Sequence, residues 1–317
     1  MHLLQVCNVG SVVGGTAACA WSLARAWPQL RHSVAFLSPA DSATRQAFCP
    51  HHVETWSHCT ASRIKALQPD MVILHNVGKA GAELWDGAFT IQYVHSVGSR
   101  LQADQTVYCS RWLARQVGAS EKPVLWQGVP VPPSLAVCRH RFTDRLRIGR
   151  ICTPSMRKWP ESLLEFYAEL ASRHPQVDWE FIGCPVTLQP RLLSACRGQA
   201  RFILPSWQAR SHLWEWDALL YHHPTLTESF GRTLAEAARA GCVPIVDHRG
   251  GFVEQLEVVS GFGCRTLTEF SNAIAALGNV STRRSLSQQV QVQANAVFSL
   301  SAFAHRLSTL VDRMVTP

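Results

Sequence analysis

The sequence predicts an α/β protein made of two consecutive halves, each a parallel sheet with crossover helices. Two observations predict it. Short apolar runs of strand length alternate with amphipathic segments of helix length on both sides of the middle, and that alternation breaks once, around Pro130, Pro132 and Pro133. A chain of 317 residues is also long enough for two domains with a core in each.

His2 to Asn8 reads as the first strand, and the loop Val9 to Thr16 opens a helix that reaches Trp27. Ser33 to Leu37 is the next strand; Met71 to Leu74, Thr90 to His95 and Thr106 to Cys109 are further short apolar runs bounded by polar turns, with a helix over Arg111 to Val117. Between Gly128 and Arg141 the proline cluster marks a linker. The second half restarts with a strand at Leu146 to Cys152, an amphipathic helix at Pro160 to His174 and a strand at Val177 to Ile182. Asp217 to Tyr221 is a buried strand, His222 to Thr227 its loop, and the following helix stops at Gly241 before the strand-like run ending at Val246. From Thr268 onward the pattern is helical only, the last helix covering Ser301 to Met314.

Apolar residues make up 47% of the chain and charged residues only 16%, with 11 tryptophans, so extensive packing is expected. There is no apolar run of membrane-spanning length and no charged-then-apolar leader, which predicts a soluble cytoplasmic protein. Eleven cysteines lack ligand-like spacing, and Cys7, Cys109, Cys152 and Cys242 lie in apolar strand contexts, so they read as reduced core residues. The doublets His51-His52 and His222-His223 have no carboxylate or cysteine at ligand spacing, and no metal is expected. The net charge of +8 is concentrated in Arg139, Arg141, Arg145, Arg147, Arg150, Arg157 and Lys158 against Asp144. Such a run attracts phosphates, nucleic acid or an anionic membrane surface, and an exposed basic linker over Arg139 to Arg145 looks the same. Trp207, Trp214 and Trp216 fit either packing or peripheral membrane contact. No aromatic-plus-basic recognition motif supports nucleic-acid binding.

Glu228 stands at a helix entrance, and Glu236 lies roughly 12 Å further along at about 1.5 Å per residue. Glutamates at this spacing are commonly just solvated helix residues. Here the strand, loop, helix, strand setting puts them at the C-terminal edge of a sheet, where open α/β sheets bind ligands. Helix N-terminal N–H groups favour an anion in the gap, leaving one carboxylate for sugar hydroxyls and the other for ribose hydroxyls. Gly14-Gly15-Thr16 lacks dinucleotide-fingerprint spacing; a glycine pair there lets backbone approach an anion, or simply makes a tight turn. Arg150, ending a strand, is followed by Arg157-Lys158-Trp159-Pro160 at a helix start. Arg150 with Lys158, or with Arg157 in a shifted register, would offset the charge of a departing diphosphate.

Together these pieces resemble a family 4 glycosyltransferase of the GT-B fold. They are Gly14-Gly15-Thr16, His95-Ser96, Gln127-Gly128-Val129, Gly149-Arg150 with Lys158, Glu228-Ser229-Phe230-Gly231 with Glu236, and Gly250-Gly251 before Glu254, in the family's order over nearly the full chain. Gln127 stands where the family usually has Asn. The resemblance implies two Rossmann-like domains, 1–137 on the acceptor side and 138–297 on the donor side, facing each other across a cleft. It implies that residues 298–317 form a helix crossing back to the first domain.

It further implies a retaining transferase that takes its sugar from a nucleotide-diphosphate-sugar and needs no cofactor or metal. Arg150 and Lys158 would contact the diphosphate, Glu236 the ribose and Glu228 the sugar. Backbone around Ser229, Phe230 and Gly231 would hold sugar and phosphate, Gly14 and Gly15 would approach the phosphate, and His95 would lie near the reacting centre. The acceptor would be a saccharide or a lipid-linked molecule. Donor hydrolysis or epimerisation on the same fold, and a non-catalytic nucleotide-sugar-binding protein, are the rival readings.

Overall fold

The computed structural model describes residues 1–80, 82–134 and 142–315. The chain divides into two compact units, Met1–Val129 together with Phe298–Pro317, and Pro130–Val297. The expected boundary at 137/138, together with Arg139 and Arg141, lies outside the described residues.

In the first unit the strands are β1 (His2–Cys7), β2 (Arg31–Phe36), β3 (His52–Thr55), β4 (Met71–His75), β5 (Phe89–Val94) and β6 (Gln105–Tyr108). The helices are α1 (Gly15–Ala26), α2 (Ser42–Ala47), α3 (Ala61–Leu67) and α4 (Arg111–Gln116). All strand pairs are parallel, in the order β3-β2-β1-β4-β5-β6. Central β1 is buried throughout, as a strand covered on both faces must be. Leu4, Val6, Val72 and Leu74 pack with Trp56 and Ile64 on one face, and the pleat turns Gln5, Cys7 and His75 to the other.

The second unit contains β7 (Leu146–Ile151), α5 (Leu163–Arg173), β8 (Val177–Ile182), α6 (Gln189–Ala195), β9 (Ala200–Ile203) and β10 (Ala218–Tyr221). It continues with α7 (Arg232–Arg239), β11 (Val243–Asp247), α8 (Gly251–Leu256), β12 (Phe262–Cys264), α9 (Leu267–Ala276) and α10 (Val280–Phe298). Its order β12-β11-β10-β7-β8-β9 repeats the winding of the first sheet. The winding reverses between β1 and β4 in one unit and between β7 and β10 in the other, and at such a switch point two loops diverge to leave a crevice at the strands' C-terminal ends.

The last helix, α11 (Leu300–Val315), belongs to the first unit and packs on α1. Val129 N donates to Phe298 O at 2.9 Å and Arg306 Nη2 to Trp126 O at 3.1 Å. A Cβ on Gly128 would lie 2.5 Å from that of Phe303, so the helix seats directly on the backbone there.

Three strands escape the sequence pattern, and all are sheet edges. β3 is partly exposed along its whole length, β9 carries the exposed Arg201, and β12 has only three residues. The predicted helix from Pro160 begins instead at Leu163, because Pro160 to Ser162 form a turn closed by Leu163 N on Pro160 O at 3.0 Å. Two arginines of the basic run are paired with acids outside it: Arg145 pairs with Asp178 at 2.6 Å, and Arg147 lies 3.9 Å from Glu180 and 3.6 Å from Glu215. Trp216, a candidate for exposure, is fully buried with Nε1 on Glu180 Oε2 at 2.9 Å. Trp214 Nε1 donates to Pro132 O at 3.2 Å, so both serve packing. Among the described residues no helix is long and apolar enough to cross a membrane.

Candidate functional site

The loops after β7 and β10 diverge at the switch point of the second sheet, and they bring Lys158 onto Glu228. Lys158 Nζ and Tyr221 Oη both donate to Glu228 Oε1. Burial pushes the Glu228 carboxyl up, but the charge and hydrogen bond of Lys158, with the Tyr221 hydroxyl, outweigh it and hold the group below its ordinary value. Glu228 is therefore an anion with one oxygen already engaged. Burial likewise keeps Tyr221 protonated, as its donor role requires.

Arg150 stands behind this pair. Its side chain is fully buried, with Nη1 donating to His222 O at 2.7 Å and Nη2 to Lys158 O at 2.9 Å. The guanidinium lies between the rings of Trp159 and Tyr221, 4.8 Å from each centroid. A diphosphate role predicted for Arg150 and Lys158 alike thus meets two different surroundings: Lys158 offers its ammonium at the sheet edge, and Arg150 clamps the two loops from inside. Arg157, the alternative register, is exposed, and its carbonyl accepts His223 Nε2 at 2.8 Å.

The His222-His223 doublet is used to build the loop. His223 Nδ1 accepts the N–H groups of Thr225 and Leu226 at 3.2 and 2.7 Å, while Asp247 takes His222 Nδ1 at 2.7 Å and His223 N at 2.8 Å. Downstream, the turn Glu228 to Gly231 leads into α7 through Gly231 at φ 88°, a left-handed conformation that glycine adopts without strain. The turn rests on the start of α8. Gly251 N donates to Glu228 O at 2.9 Å, and a Cβ on Gly251 would sit 2.4 Å from Ser229 O and 2.6 Å from Phe230 O. Gln255 Nε2 donates to Phe230 O. The carbonyls of the turn are thereby held inward, and among the described residues the N–H groups of Ser229 and Gly231 have no protein acceptor. Two such N–H groups at a helix entrance suit an anion.

Gly251→Ala is expected to displace this turn, since backbone oxygens cannot yield as a flexible side chain does. Ligand affinity at the site should fall on the order of 100-fold, the scale of an ångström-sized misplacement. Calorimetry of the variant checks it, with its thermal transition as a control for folding.

Glu236 is buried within α7, with Oε2 on Arg210 Nε at 2.8 Å and Oε1 on Arg232 Nη2 at 3.4 Å. Arg210 also lies over the half-buried Trp207 ring, 5.2 Å from its centroid. In the first unit, Gly14 is the N-cap of α1 at φ −80° and Gly15 is the exposed first residue of that helix. His95, just beyond β5, is buried with both ring nitrogens engaged, Nδ1 by Gln127 and Nε2 by His75, each at 3.0 Å. Its backbone N–H goes to Asn76 Oδ1 at 2.8 Å.

No family model and no curated protein matches the chain. Solved structures do. HepE of Anabaena, solved with UDP and glucose, superposes with a TM-score of 0.74 at 15% identity, covering 99% of this chain and 100% of that one. A glycosyltransferase of Rickettsia africae gives 0.77 at 13% identity over 99% and 98% of the two chains. Sucrose-phosphate synthase of Thermosynechococcus elongatus gives 0.71 at 13% identity over 99% of each. The chain has the GT-B fold.

On this GT-B scaffold the predicted residues fall into separate groups. Lys158, Arg150, Glu228, Ser229, Phe230 and Gly231 come together at the β7/β10 switch point. Glu236 follows on α7 with cations of its own, so the two glutamates do not share one. Gly14, Gly15 and His95 belong to the other unit. Sequence reasoning missed Tyr221 as a partner of Glu228 and Arg210 as a partner of Glu236. The alternation of β10 buries Tyr221 whatever its partner, and Arg210 sits in a 3-10 turn, Gln208–Trp214, without a repeating pattern to mark it.

Proposed function

We propose that this GT-B chain is a retaining glycosyltransferase of family 4 type that moves a sugar from a nucleotide-diphosphate-sugar to a hydroxyl of a saccharide or lipid-linked acceptor. The observation that carries this reading is the Lys158–Glu228 pair set beside the N–H groups of Ser229 and Gly231 at the sheet's switch point. It joins an acceptor of sugar hydroxyls to donors for a diphosphate within one turn. Lys158 and the N–H groups take up charge as the diphosphate leaves. Glu228 holds the transferred sugar through its remaining oxygen, Glu236 exchanges an arginine contact for the ribose, and Arg150 keeps Lys158 and the His222 loop in place. The leaving diphosphate takes the acceptor's proton on the same face, so the protein supplies positioning and charge and no nucleophile. Neutralising charge from the chain itself makes a cofactor unnecessary in this mechanism. A UDP-sugar is the donor class with support, since HepE was solved with UDP-glucose.

A thermal-shift panel of nucleotide-sugars, followed by product analysis with saccharide acceptors, tests the proposal, because a ligand that binds only the native state raises its apparent stability. Glu236→Ala should weaken donor binding roughly 10- to 100-fold, the loss of a charged hydrogen bond. Glu228→Gln should leave donor binding near normal and lower kcat on the order of 100-fold. Unchanged kinetics in both variants would remove the assignment. Sugar release without an acceptor would favour hydrolysis, and an intact donor with every acceptor would favour a binding protein.

A further inference from the structure

A single chain of hydrogen bonds crosses the core of the first unit from one glutamine to another. Gln127 Nε2 lies 3.0 Å from His95 Nδ1, His95 Nε2 lies 3.0 Å from His75 Nδ1, and His75 Nε2 lies 3.0 Å from Gln5 Oε1. All four side chains are buried, Gln5 and His75 completely. The imidazole planes agree within 4° at a centroid separation of 5.3 Å, so the facing nitrogens point at each other along the ring planes. Sheet register explains the assembly. Cys7 pairs with His75 and His75 with Tyr93, so Gln5, His75 and His95 project from neighbouring strands to the same face.

A neutral imidazole has one N–H and one bare nitrogen, so the polarity of such a chain propagates from end to end. The amide groups at the two ends agree. Gln127 offers an N–H to His95 Nδ1, which leaves the His95 proton on Nε2; that proton faces bare His75 Nδ1, and the His75 proton on Nε2 faces the oxygen of Gln5. Protonating His95 at Nδ1 would set N–H against N–H unless Gln127 turned over. The titratable groups around the pair are Cys19 on α1, Tyr93 on β5, Cys109 after β6 and, beside Tyr93, Arg306 on α11. Burial pushes the Tyr93 hydroxyl well up and His75 down to about 3, so neither of these two is charged at neutral pH.

We propose that His75, Gln5 and Gln127 are positioning residues that lock His95 as a neutral imidazole protonated on Nε2, so that His95 takes part in sugar transfer as a fixed dipole that neither takes up nor gives up a proton. The second half of the proposal rests on the transferase reading; the lock itself does not. Within that reading it makes the leaving diphosphate, not His95, the acceptor of the incoming hydroxyl's proton.

Imidazole ¹⁵N spectra of the full chain test the lock, with the His95 signals identified by their loss in His95→Phe. Expected is an Nε2-protonated His95 with no titration between about pH 5.5 and 8.5, where an ordinary histidine changes charge. An Nδ1 proton, or titration near the ordinary value, would overturn it. Gln127→Glu puts a carboxylate on Nδ1 and should make His95 titrate in that window, with a matching pH dependence of kcat absent from the wild type. His75→Leu removes the acceptor of the Nε2 proton and should lower kcat roughly tenfold with donor KM unchanged, the scale of one oriented hydrogen bond. His75→Asn, which keeps an oxygen near the Nδ1 position, should recover most of that loss. Equal rates for His75→Leu and wild type would refute the role in transfer while the spectra decide the lock. A wild type inactive with every nucleotide-sugar would instead strike the transferase reading, and the spectra would still stand.

Discussion

Lys158→Met is expected to lower kcat by about 100- to 1000-fold, the loss seen when one preorganised donor to a developing anion is removed. The geometry adds a second effect. Lys158 is what holds the Glu228 carboxyl below its ordinary value of 4.5 against the upward push of burial. Without it the carboxyl rises above that value, and the sign of its contribution to stability reverses. In the wild type the folded carboxyl binds its proton less readily than the unfolded one, so the pair stabilises the fold above about pH 4.5 and that contribution is lost as pH falls further. In the variant the folded carboxyl binds its proton more readily, so its contribution is present below about pH 4.5 and is lost as pH rises from there through the raised folded value. Urea midpoints measured at about pH 4 and pH 7.5 should therefore converge at the acid end and separate at the neutral end. Parallel curves would show that Lys158 does not govern Glu228.

Arg150→Met should cost about 3 kcal/mol of stability, or roughly 6–12 °C in Tm for a domain of this size. The variant leaves two partly buried carbonyls, His222 O and Lys158 O, without their donors, and it removes a cation from between two aromatic faces. The apolar stem of methionine restores only part of the packing. Arg150→Lys should rescue little, because a single ammonium on a flexible stem cannot reach both carbonyls and lie flat between Trp159 and Tyr221. Thermal unfolding of the variants checks this, and a loss below about 1 kcal/mol would mean that the clamp is dispensable.

The strands that build the middle of each sheet were legible in the sequence because burial on both faces writes a continuous apolar run, as in β1 and β4. β3 and β9, partly exposed at the sheet edges, leave mixed runs that do not stand out from loops. For the site, Lys158, Glu228 and the turn to Gly231 follow from local order along the chain and from the rule that ligands gather where sheet winding reverses. The inward direction of Arg150 does not. Whether an arginine at a strand end meets solvent or two carbonyls depends on Trp159, Tyr221 and the His222 loop, which lie at very different distances along the sequence. His75 and Gln5 were invisible for the same reason, being two polar residues in strands that otherwise read as core, matched only when β1 and β4 pair.

The first unit is made of two pieces of chain, Met1–Val129 and Phe298–Pro317, whereas the second is one continuous piece. During synthesis the second unit can close as soon as its own residues have emerged. The first must wait, with the surface later covered by Phe303 and Leu307 uncovered, until the last helix is made. A ribosome that stalls near residue 297 would thus release a finished second unit tied to an unfinished first one. The domain that is begun first is the one completed last, and quality control of this protein should act on its oldest residues.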